Sequence, residues 1–414
     1  CNTPPTVIAL ESSMESQAAI PWLRTRLAVQ MFLQFAIWGA WAPVLFKHLL
    51  NLGYTSGQAA AIMGTGPLAI MISPLIAGQI ADRWFATERF LTFSYLGAAL
   101  LLCLAADPTY ARDFSVMWWI CFGTMLLFGP TLGLANSLCF HHLKDARKDF
   151  PIIRVWGTVG WIASAFVVKE VMERAELDLS ACLIVASVAS ALNALVCLYL
   201  PQTPPAGEAR EKFAVGKVLA MTKDFSFTLF SVLAFVLMVF ATFYYFKNAE
   251  FFPTLGISDA WLGPTQSIGQ GAEIVTMFLL PYVYKKLGSK RTIALGLLAW
   301  GVRFAIFAVG TPVWLVIGAQ ALHGVCFAFG IAGAMIYFER ICAPDVRGSV
   351  QSFLAWITYG FGMFVGSLLL GPLSDRYTTY GCCDASLTFL DWHGFWTVPA
   401  VGCGIIFLVF LLFF

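Results

Sequence analysis

The fold is decided by the segment WLGPTQSIGQGAEIVTMFLLPYVYKK, Trp261–Lys286, which is apolar over the length of a membrane crossing but holds one carboxylate at its centre. At a rise of about 1.5 Å per residue, Glu273 lies near the midplane of a hydrocarbon layer about 30 Å thick. Such a carboxylate is costly and usually faces a cavity or a proton path. Gln266, Gln270 and Glu273 follow one another at spacings of four and three, so they share one helix face. This polar stripe indicates a translocation site.

The composition of the whole chain is that of an integral membrane protein. Of its 414 residues, 59% are hydrophobic and 12% are charged, and the mean hydropathy is +0.78. Soluble domains carry about twice that charged fraction. The net charge of +2 gives no indication of a nucleic-acid partner, and the 11 cysteines show neither a CxxC pair nor a Cys/His metal spacing. We therefore expect no metal and no cofactor, and the lipid bilayer is the surrounding solvent.

Twelve apolar segments have the length of a transmembrane helix. Helices are expected because lipid offers no partners to backbone polar groups. The fold class is thus an all-α integral membrane protein with twelve transmembrane helices. The predicted spans are 25–47, 58–81, 90–107, 114–140, 151–172, 179–200, 225–249, 262–285, 290–310, 312–338, 348–371 and 394–414.

The distribution of basic residues predicts the orientation. With the N-terminus inside, eighteen of the 25 Lys and Arg residues fall in inner segments, six fall in outer segments, and Arg303 lies within a span. Because short cytoplasmic loops are rich in Lys and Arg, both termini are predicted to be cytoplasmic. We expect a multi-pass protein of the cell inner membrane. The polar N-terminal stretch lacks the apolar core of a signal peptide.

A proline-rich and charged inner loop, residues 201–224, divides the spans six and six. We predict a cytoplasmic tail (1–24), an N-terminal six-helix bundle (25–200), a cytoplasmic linker (201–224) and a C-terminal six-helix bundle (225–414). Two such halves, with the binding site between them near the midplane, are one arrangement of secondary transporters.

Local motifs add a family resemblance. Residues Gly78–Arg83 resemble the G-x-x-x-D-R loop signature of the major facilitator superfamily, in which Gly78, Asp82 and Arg83 would form the gating-loop motif. Further segments resemble the nucleoside:proton symporter family within that superfamily, and the resemblance covers the chain from about Arg24 onward. They are FLQFAIWGAW (Phe32–Trp41), GPTLGLANSL (Gly129–Leu138), FPIIRVWGTVGWI (Phe150–Ile162), AWGVRFAIFAVG (Ala299–Gly310), LHGVCFAFG (Leu322–Gly330) and RGSVQSF (Arg347–Phe353).

The resemblance implies a set of substrate-binding positions. On span 5 it implies an Arg, a Thr and an aromatic residue, on span 7 two polar residues, on span 8 a Gln and a Glu, and on span 10 two aromatic residues. The matching residues are Arg154, Thr158, Trp161, Thr242, Tyr245, Gln270, Glu273, His323 and Phe327.

Three departures from the family pattern bear on specificity and coupling. His323 replaces a Tyr, and Thr242 and Tyr245 replace a Gln and an Asn. Ala328 stands where the family has a second acidic residue beside the counterpart of Phe327. Proton coupling is therefore expected to rest on Glu273, with His323 as the assisting group.

The residue types alone lead to a similar site. Arg154, Thr158 and Trp161 repeat the spacing of four and three, so they also share one helix face. An aromatic, a hydroxyl and a guanidinium opposite two amides and a carboxyl suit a neutral polyhydroxylated ligand with a planar ring. Alternatives remain at this stage. The alternative for Arg154 is an interfacial anchor, for Gln266 and Gln270 interhelical hydrogen bonds, and for Glu273 a structural pair with Arg303.

The predicted function is a proton-coupled symporter that imports a nucleoside, or a similar small polyhydroxylated ring compound, by alternating access. Glu273 would take up the proton, because removal from water favours a neutral carboxyl. Rival interpretations are a sugar:proton symporter of the same superfamily and a transporter-like receptor that binds without moving cargo. An enzyme is not expected, because His323 lacks a second catalytic group at a suitable spacing. We expect a monomer whose partners are the nucleoside, the proton and the bilayer.

Overall fold

The computed structural model describes residues 22–80, 86–143, 145–203, 221–342, 347–380 and 388–414. Within these ranges the chain is almost entirely helical, and the prediction of an all-α membrane protein is confirmed. Asp82, Arg83, the tail 1–21 and linker residues 204–220 lie outside the described residues. The predicted tail, linker and gating-loop motif therefore stay predictions.

The first half of the described chain holds nine helices, and eight of them form six spans, while the short helix α6 (Pro108–Ala111) lies between spans 3 and 4. Helices α1 and α2 form span 1, α3 and α4 form span 2, and α5, α7, α8 and α9 are spans 3 to 6. Their bounds are α1 Leu23–Trp41, α2 Leu45–Asn51, α3 Ser56–Met63, α4 Thr65–Ile80, α5 Thr87–Ala106, α6 Pro108–Ala111, α7 Phe114–His142, α8 Ala146–Ala175 and α9 Ala181–Leu198.

The second half follows the same plan with more irregular helices. Helix α10 is span 7, α11 contains spans 8 and 9, α12 to α14 form span 10, α15 and α16 form span 11, and α17 is span 12. Their bounds are α10 Phe225–Thr254, α11 Leu262–Val309, α12 Val313–Gly318, α13 Leu322–Val325, α14 Gly333–Ile341, α15 Arg347–Ala355, α16 Met363–Tyr377 and α17 Trp392–Phe413. Short 3-10 turns (Asp259–Trp261 and Ala319–Ala321), two π-helical turns (Cys326–Ala332 and Trp356–Gly362) and an antiparallel strand pair (β1 Thr378–Tyr380 and β2 Thr388–Leu390) complete this half.

Helix α11 must cross a membrane twice. With the preceding 3-10 turn it covers 51 residues, or about 77 Å at 1.5 Å per residue, against a hydrocarbon layer of about 30 Å. The break falls at Gly288, whose φ of 78° and ψ of 174° lie in a region that essentially only glycine adopts. Among the described residues, ten helical segments are long and apolar enough to span. Dividing α11 and adding span 2, which is split at Gly64, gives the twelve predicted crossings.

Aspartate starts several of the spans. The carboxylates of Asp113, Asp145, Asp224 and Asp391 accept hydrogen bonds from backbone N–H groups in the first turns of α7, α8, α10 and α17. Thr55 makes the corresponding contact at α3, where Gln58 completes a capping box. These caps satisfy N–H groups that have no partner within the helix, so they place the span ends.

The spans pack mainly with others of their own half. Span 1 packs against spans 5 and 6, and span 3 against spans 4 and 6, while span 7 packs against spans 11 and 12 and helix α11 against spans 10 and 12. Between the halves, span 5 packs against span 8, span 2 against span 11, and the end of span 1 against span 7. The division at residues 201–224 itself stays a prediction.

The halves are joined at the end of the bundle that carries Asn51 and Asp259, which we call the outer end after the predicted orientation. There Asn51 Nδ2 lies 3.3 Å from Asp259 Oδ2, and the rings of Phe46 and Phe246 stack with centroids 6.0 Å apart. Lys247, fully buried on span 7, donates to Ser56 Oγ of span 2 over 3.0 Å. These contacts close the outer end over the interior.

Candidate functional site

A cavity of about 760 Å³ lies between the two halves. Its wall is mostly apolar and aromatic, with a small number of polar side chains, which is typical of a site for a small organic molecule. Eight of the nine predicted substrate-binding residues line it. They are Arg154, Thr158, Trp161, Tyr245, Gln270, Glu273, His323 and Phe327, from spans 5, 7, 8 and 10.

Glu273 is the carboxylate of this cavity. It sits on α11 facing the interior, with 19% of its side chain exposed. Its Oε2 lies 3.8 Å from Nε2 of His323 on span 10, and Arg154 of span 5 lines the same cavity. The alternative of a direct pair with Arg303 is not what the structure has, because the ring of His323 lies between the two groups.

His323 is buried, and three neighbouring side chains contact its ring. Its Nδ1 lies 3.5 Å from Nη1 of Arg303, and its Nε2 lies 3.4 Å from the Gln270 amide nitrogen. Tyr244 stacks on its ring with centroids 5.9 Å apart. The ring is therefore fixed between a permanent cation on one side and the polar residues of the cavity on the other.

Arg154 turns inward from span 5. Its guanidinium carbon lies 4.0 Å from the centre of the Phe35 ring, and both residues line the cavity. Stacking on an aromatic face suits a planar guanidinium, which is more weakly hydrated than an ammonium group. In this structure Arg154 is thus a cavity residue, whereas an interfacial anchor would reach outward to the membrane surface.

The two glutamines of span 8 differ in their bonding. Gln266 Nε2 donates to the Pro43 carbonyl across the interface over 3.0 Å, so Gln266 is engaged in joining the halves. Asn248 Nδ2 lies 3.5 Å from Gln266 Oε1 on its other side. Gln270 has only His323 as a hydrogen-bonding neighbour among the described contacts. Gln270 therefore has spare hydrogen-bonding capacity for a ligand.

Aromatic residues enclose the cavity from both halves. Trp161 meets Trp38 edge to face with centroids 5.7 Å apart, and Phe327 lies opposite in the second half. Three aromatic residues that the sequence pattern does not single out also line the cavity: Trp38, Tyr244 and Tyr359. Phe327 and Tyr359 lie on the two π-helical turns, and such turns are frequent at functional sites.

Thr242 lies outside the cavity wall. It is fully buried, its hydroxyl donates to the Met238 carbonyl over 2.8 Å, and it packs where span 7 meets Gly366 of span 11. The resemblance placed a polar contact here, but the side chain faces its own half. Ala328 is likewise fully buried, in an apolar cluster with Leu280 and Phe329.

Two further expectations concern groups around the site. Gly78 lies in helix α4, but Asp82 and Arg83 are outside the described residues, so the geometry of their motif is not part of the structure. Within the described part of the chain, no group of three or more His, Cys, Asp or Glu side chains is arranged to hold a metal ion.

Comparison with known proteins gives a consistent family match. The profile described as "Nucleoside H+ symporter" matches residues 22–414. The xanthosine permease of Escherichia coli K12 is 29% identical over 91% of this chain and 92% of its own length. The nucleoside permease NupG of the same strain is 27% identical over 91% of this chain and 94% of its own length. A crystal structure of a NupG mutant superposes with a TM-score of 0.84 at 25% identity, covering 94% of this chain and 99% of the other.

Proposed function

The chain belongs to the nucleoside H+ symporter family, and we propose that it imports a nucleoside by alternating access, driven by a proton carried on Glu273. Family membership makes it a proton-coupled transporter and excludes the enzyme alternative. It is a multi-pass membrane protein. The observation that carries the proposed mechanism is the position of Glu273 in a largely apolar cavity between the halves, near Arg154 and beside His323.

Substrate recognition follows from the cavity wall. Trp161 and Phe327 offer flat apolar faces from opposite halves, and these would contact the base of a nucleoside. Thr158 and Gln270 supply a hydroxyl and an amide for the ribose hydroxyls or the ring nitrogens. A ligand that contacts both halves at once stabilises the conformation in which both halves close around it. Alternating access requires the carrier to pass through such a conformation when it moves the ligand across the membrane.

Glu273 and Arg154 belong to different halves, and this gives the proton its effect. When Glu273 is ionised, its charge is attracted to the guanidinium across the interface, and in a site removed from water this attraction is much stronger than in bulk water. A proton on Glu273 removes that attraction. We propose that protonation together with bound nucleoside permits one half to rock against the other, and that release of the proton on the inner side resets the carrier.

The remaining features of the proposal concern the protein's setting. We propose that it acts as a monomer in the cell inner membrane with both termini cytoplasmic, as the Lys and Arg distribution favours. We also propose that the proton is the coupling ion and that the carrier uses no cofactor or metal. The closed outer end, with Lys247 bonded to Ser56, corresponds in this scheme to the state that exchanges substrate with the cytoplasm.

The experiment that tests the function is uptake into proteoliposomes. Liposomes that contain the purified protein are given a panel of labelled purine nucleosides, pyrimidine nucleosides and sugars, with and without an inwardly directed proton gradient. If one proton accompanies each substrate, one pH unit corresponds to ~1.4 kcal/mol and supports accumulation of about tenfold. Accumulation of a nucleoside that requires the gradient supports the proposal. Gradient-driven uptake of sugars alone, or binding without counterflow, would refute it.

A further inference from the structure

Arg303 is a fully buried cation on span 9, and no carboxylate of the described residues lies within ion-pairing distance of it. Its guanidinium carbon lies 3.7 Å from the Tyr244 ring centre and 4.1 Å from that of Trp300. Its Nε and Nη2 have no hydrogen-bond partner in the part of the chain that the structure describes, and its Nη1 lies 3.5 Å from Nδ1 of His323. An unpaired buried charge is costly, so the arrangement of this arginine requires an explanation beyond packing.

The contact between Arg303 and His323 determines which ring nitrogen carries the proton. A guanidinium can only donate hydrogen bonds, so Nδ1 of His323 must accept. The proton of the neutral ring is then on Nε2. Protonation of Nδ1 would set two N–H groups against each other over 3.5 Å. Arg303 therefore locks His323 as a neutral ring with an Nε2–H donor.

The locked donor lies on the cavity side of the ring. The Nε2 atom of His323 is 3.8 Å from Glu273 Oε2 and 3.4 Å from the end of the Gln270 side chain. The oxygen and nitrogen of a glutamine amide are assigned from the hydrogen-bond network, and a donor on Nε2 places the Gln270 oxygen toward it. The Nε2–H group is thus within hydrogen-bonding distance of the Gln270 amide, and the Glu273 carboxylate lies just beyond that distance at 3.8 Å.

The other groups that face Glu273 come from different spans. Arg154 on span 5, Tyr245 on span 7 and Tyr359 on span 11 line the same cavity as Glu273. His323 is the neighbour on span 10, and Arg303 acts from behind it. Of the two cations, Arg154 is in the opposite half and moves relative to Glu273 during transport, whereas Arg303 stays in the same half.

We propose that Arg303 is a positioning residue for proton coupling, which acts through the locked His323 to stabilise the ionised form of Glu273. This rests on the proposed function, in which Glu273 carries the proton, and it adds a residue that the carrier uses in every conformation. Through this contact Arg303 keeps the Nε2–H group of His323 facing Glu273 at 3.8 Å within the C-terminal half. The carboxylate is thereby supported even when rocking has drawn Arg154 away.

Protonation of Glu273 can be measured in the absence of a nucleoside. Dicyclohexylcarbodiimide reacts with protonated carboxyl groups in apolar surroundings, and mass spectrometry of the labelled peptide gives the labelled fraction at each pH. Removal of Arg303 as Arg303→Gln weakens support for the anion, so Glu273 should remain reactive to higher pH. We expect the midpoint of labelling to rise by about one pH unit, a typical effect of a lost charge partner.

Two variants separate a relay from general packing. Arg340→Gln removes another arginine of the same half, whose guanidinium lies 4.9 Å from the Tyr284 ring centre, and should leave the midpoint unchanged. His323→Phe keeps a ring against Tyr244 but removes both nitrogens, and should raise the midpoint like Arg303→Gln. It also provides a test if Arg303→Gln does not fold. Glu273→Gln should abolish the label.

The double variant distinguishes an action of Arg303 through His323 from two independent effects on Glu273. If Arg303 acts through His323, Arg303→Gln combined with His323→Phe should shift the midpoint no further than the larger single shift. Additive shifts, or an unchanged midpoint in folded His323→Phe, would overturn the proposal. Because the label needs no nucleoside, absence of nucleoside uptake would count against the proposed function and would leave the labelling result standing on its own.

Discussion

Substitution of Gly324 by alanine should disturb the coupling site without altering any of its polar side chains. Gly324 on span 10 faces the backbone of span 8, and an added Cβ would lie 2.5 Å from the carbonyl carbon of Ala272 and 2.7 Å from the backbone nitrogen of Glu273. Ordinary contact begins at 3.4 Å, so the two spans must separate by about 0.9 Å. Backbone atoms cannot rotate away, so the strain falls on the packing of the two helices, at a typical cost of ~1–3 kcal/mol.

The functional consequence follows from what these spans carry. Glu273 is next to the contact on span 8 and His323 is next to it on span 10, with 3.8 Å between their side chains. A displacement of nearly 1 Å at a functional constellation can cost on the order of 100-fold, so we expect gradient-driven nucleoside uptake by Gly324→Ala to fall by about tenfold or more. The assay is initial uptake in proteoliposomes with matched protein content, together with the thermal unfolding midpoint in detergent.

Gly318→Ala is the matched control. Gly318 lies on the same span, and an added Cβ there has nothing within 4 Å. It should retain wild-type uptake and stability. If Gly324→Ala transported as well as Gly318→Ala, the close approach of spans 8 and 10 would not hold the coupling site, and the reasoning would be refuted.

Two further predictions concern the outer end and the cavity wall. Lys247→Met removes the donor to Ser56 and should favour opening of the outer end. A cysteine introduced as Thr158→Cys in a cysteine-free background should then react about tenfold faster with an impermeant thiol reagent added outside, corresponding to ~1.4 kcal/mol for a bond to a charged group. An unchanged rate would argue against an outer closure by Lys247. Thr242→Val should leave the nucleoside affinity within about twofold of wild type. Thr158→Val should weaken the affinity about fivefold, which corresponds to the loss of one neutral hydrogen bond. Equal effects of the two variants in a binding titration would contradict the placement of Thr242 outside the cavity wall.

The membrane fold was accessible from sequence because it rests on one-dimensional properties. Apolar runs of spanning length fix the number of crossings, and the turn at Gly288 lies within the charged run that separates spans 8 and 9. The predicted spans match the observed helices to within several residues at each end. The ends themselves depend on caps such as Asp113 and Asp391, which hydrophobicity does not detect.

The candidate site was only partly accessible, and the reasons differ by residue. Spacings of four and three group Gln270 with Glu273 because a regular helix turns about 100° per residue. Spacing does not identify Tyr359, because it lies on a π-helical turn, where the extra residue changes which helix face points to the cavity. Thr242 and Tyr245 are about 60° apart on span 7, and only the latter reaches the cavity. No spacing rule could reveal the contact of Arg303 with His323, which depends on how spans 9 and 10 pack.

The central claim is that Glu273 carries the coupling proton, and Glu273→Gln tests it most directly. The amide resembles the protonated acid in shape and charge, so the carrier should still reorient and exchange labelled nucleoside for unlabelled nucleoside across the membrane. The same proteoliposomes should lose all accumulation driven by a pH gradient, because a site that cannot release a proton cannot use the gradient. Full gradient-driven accumulation by Glu273→Gln would contradict the account and place coupling elsewhere.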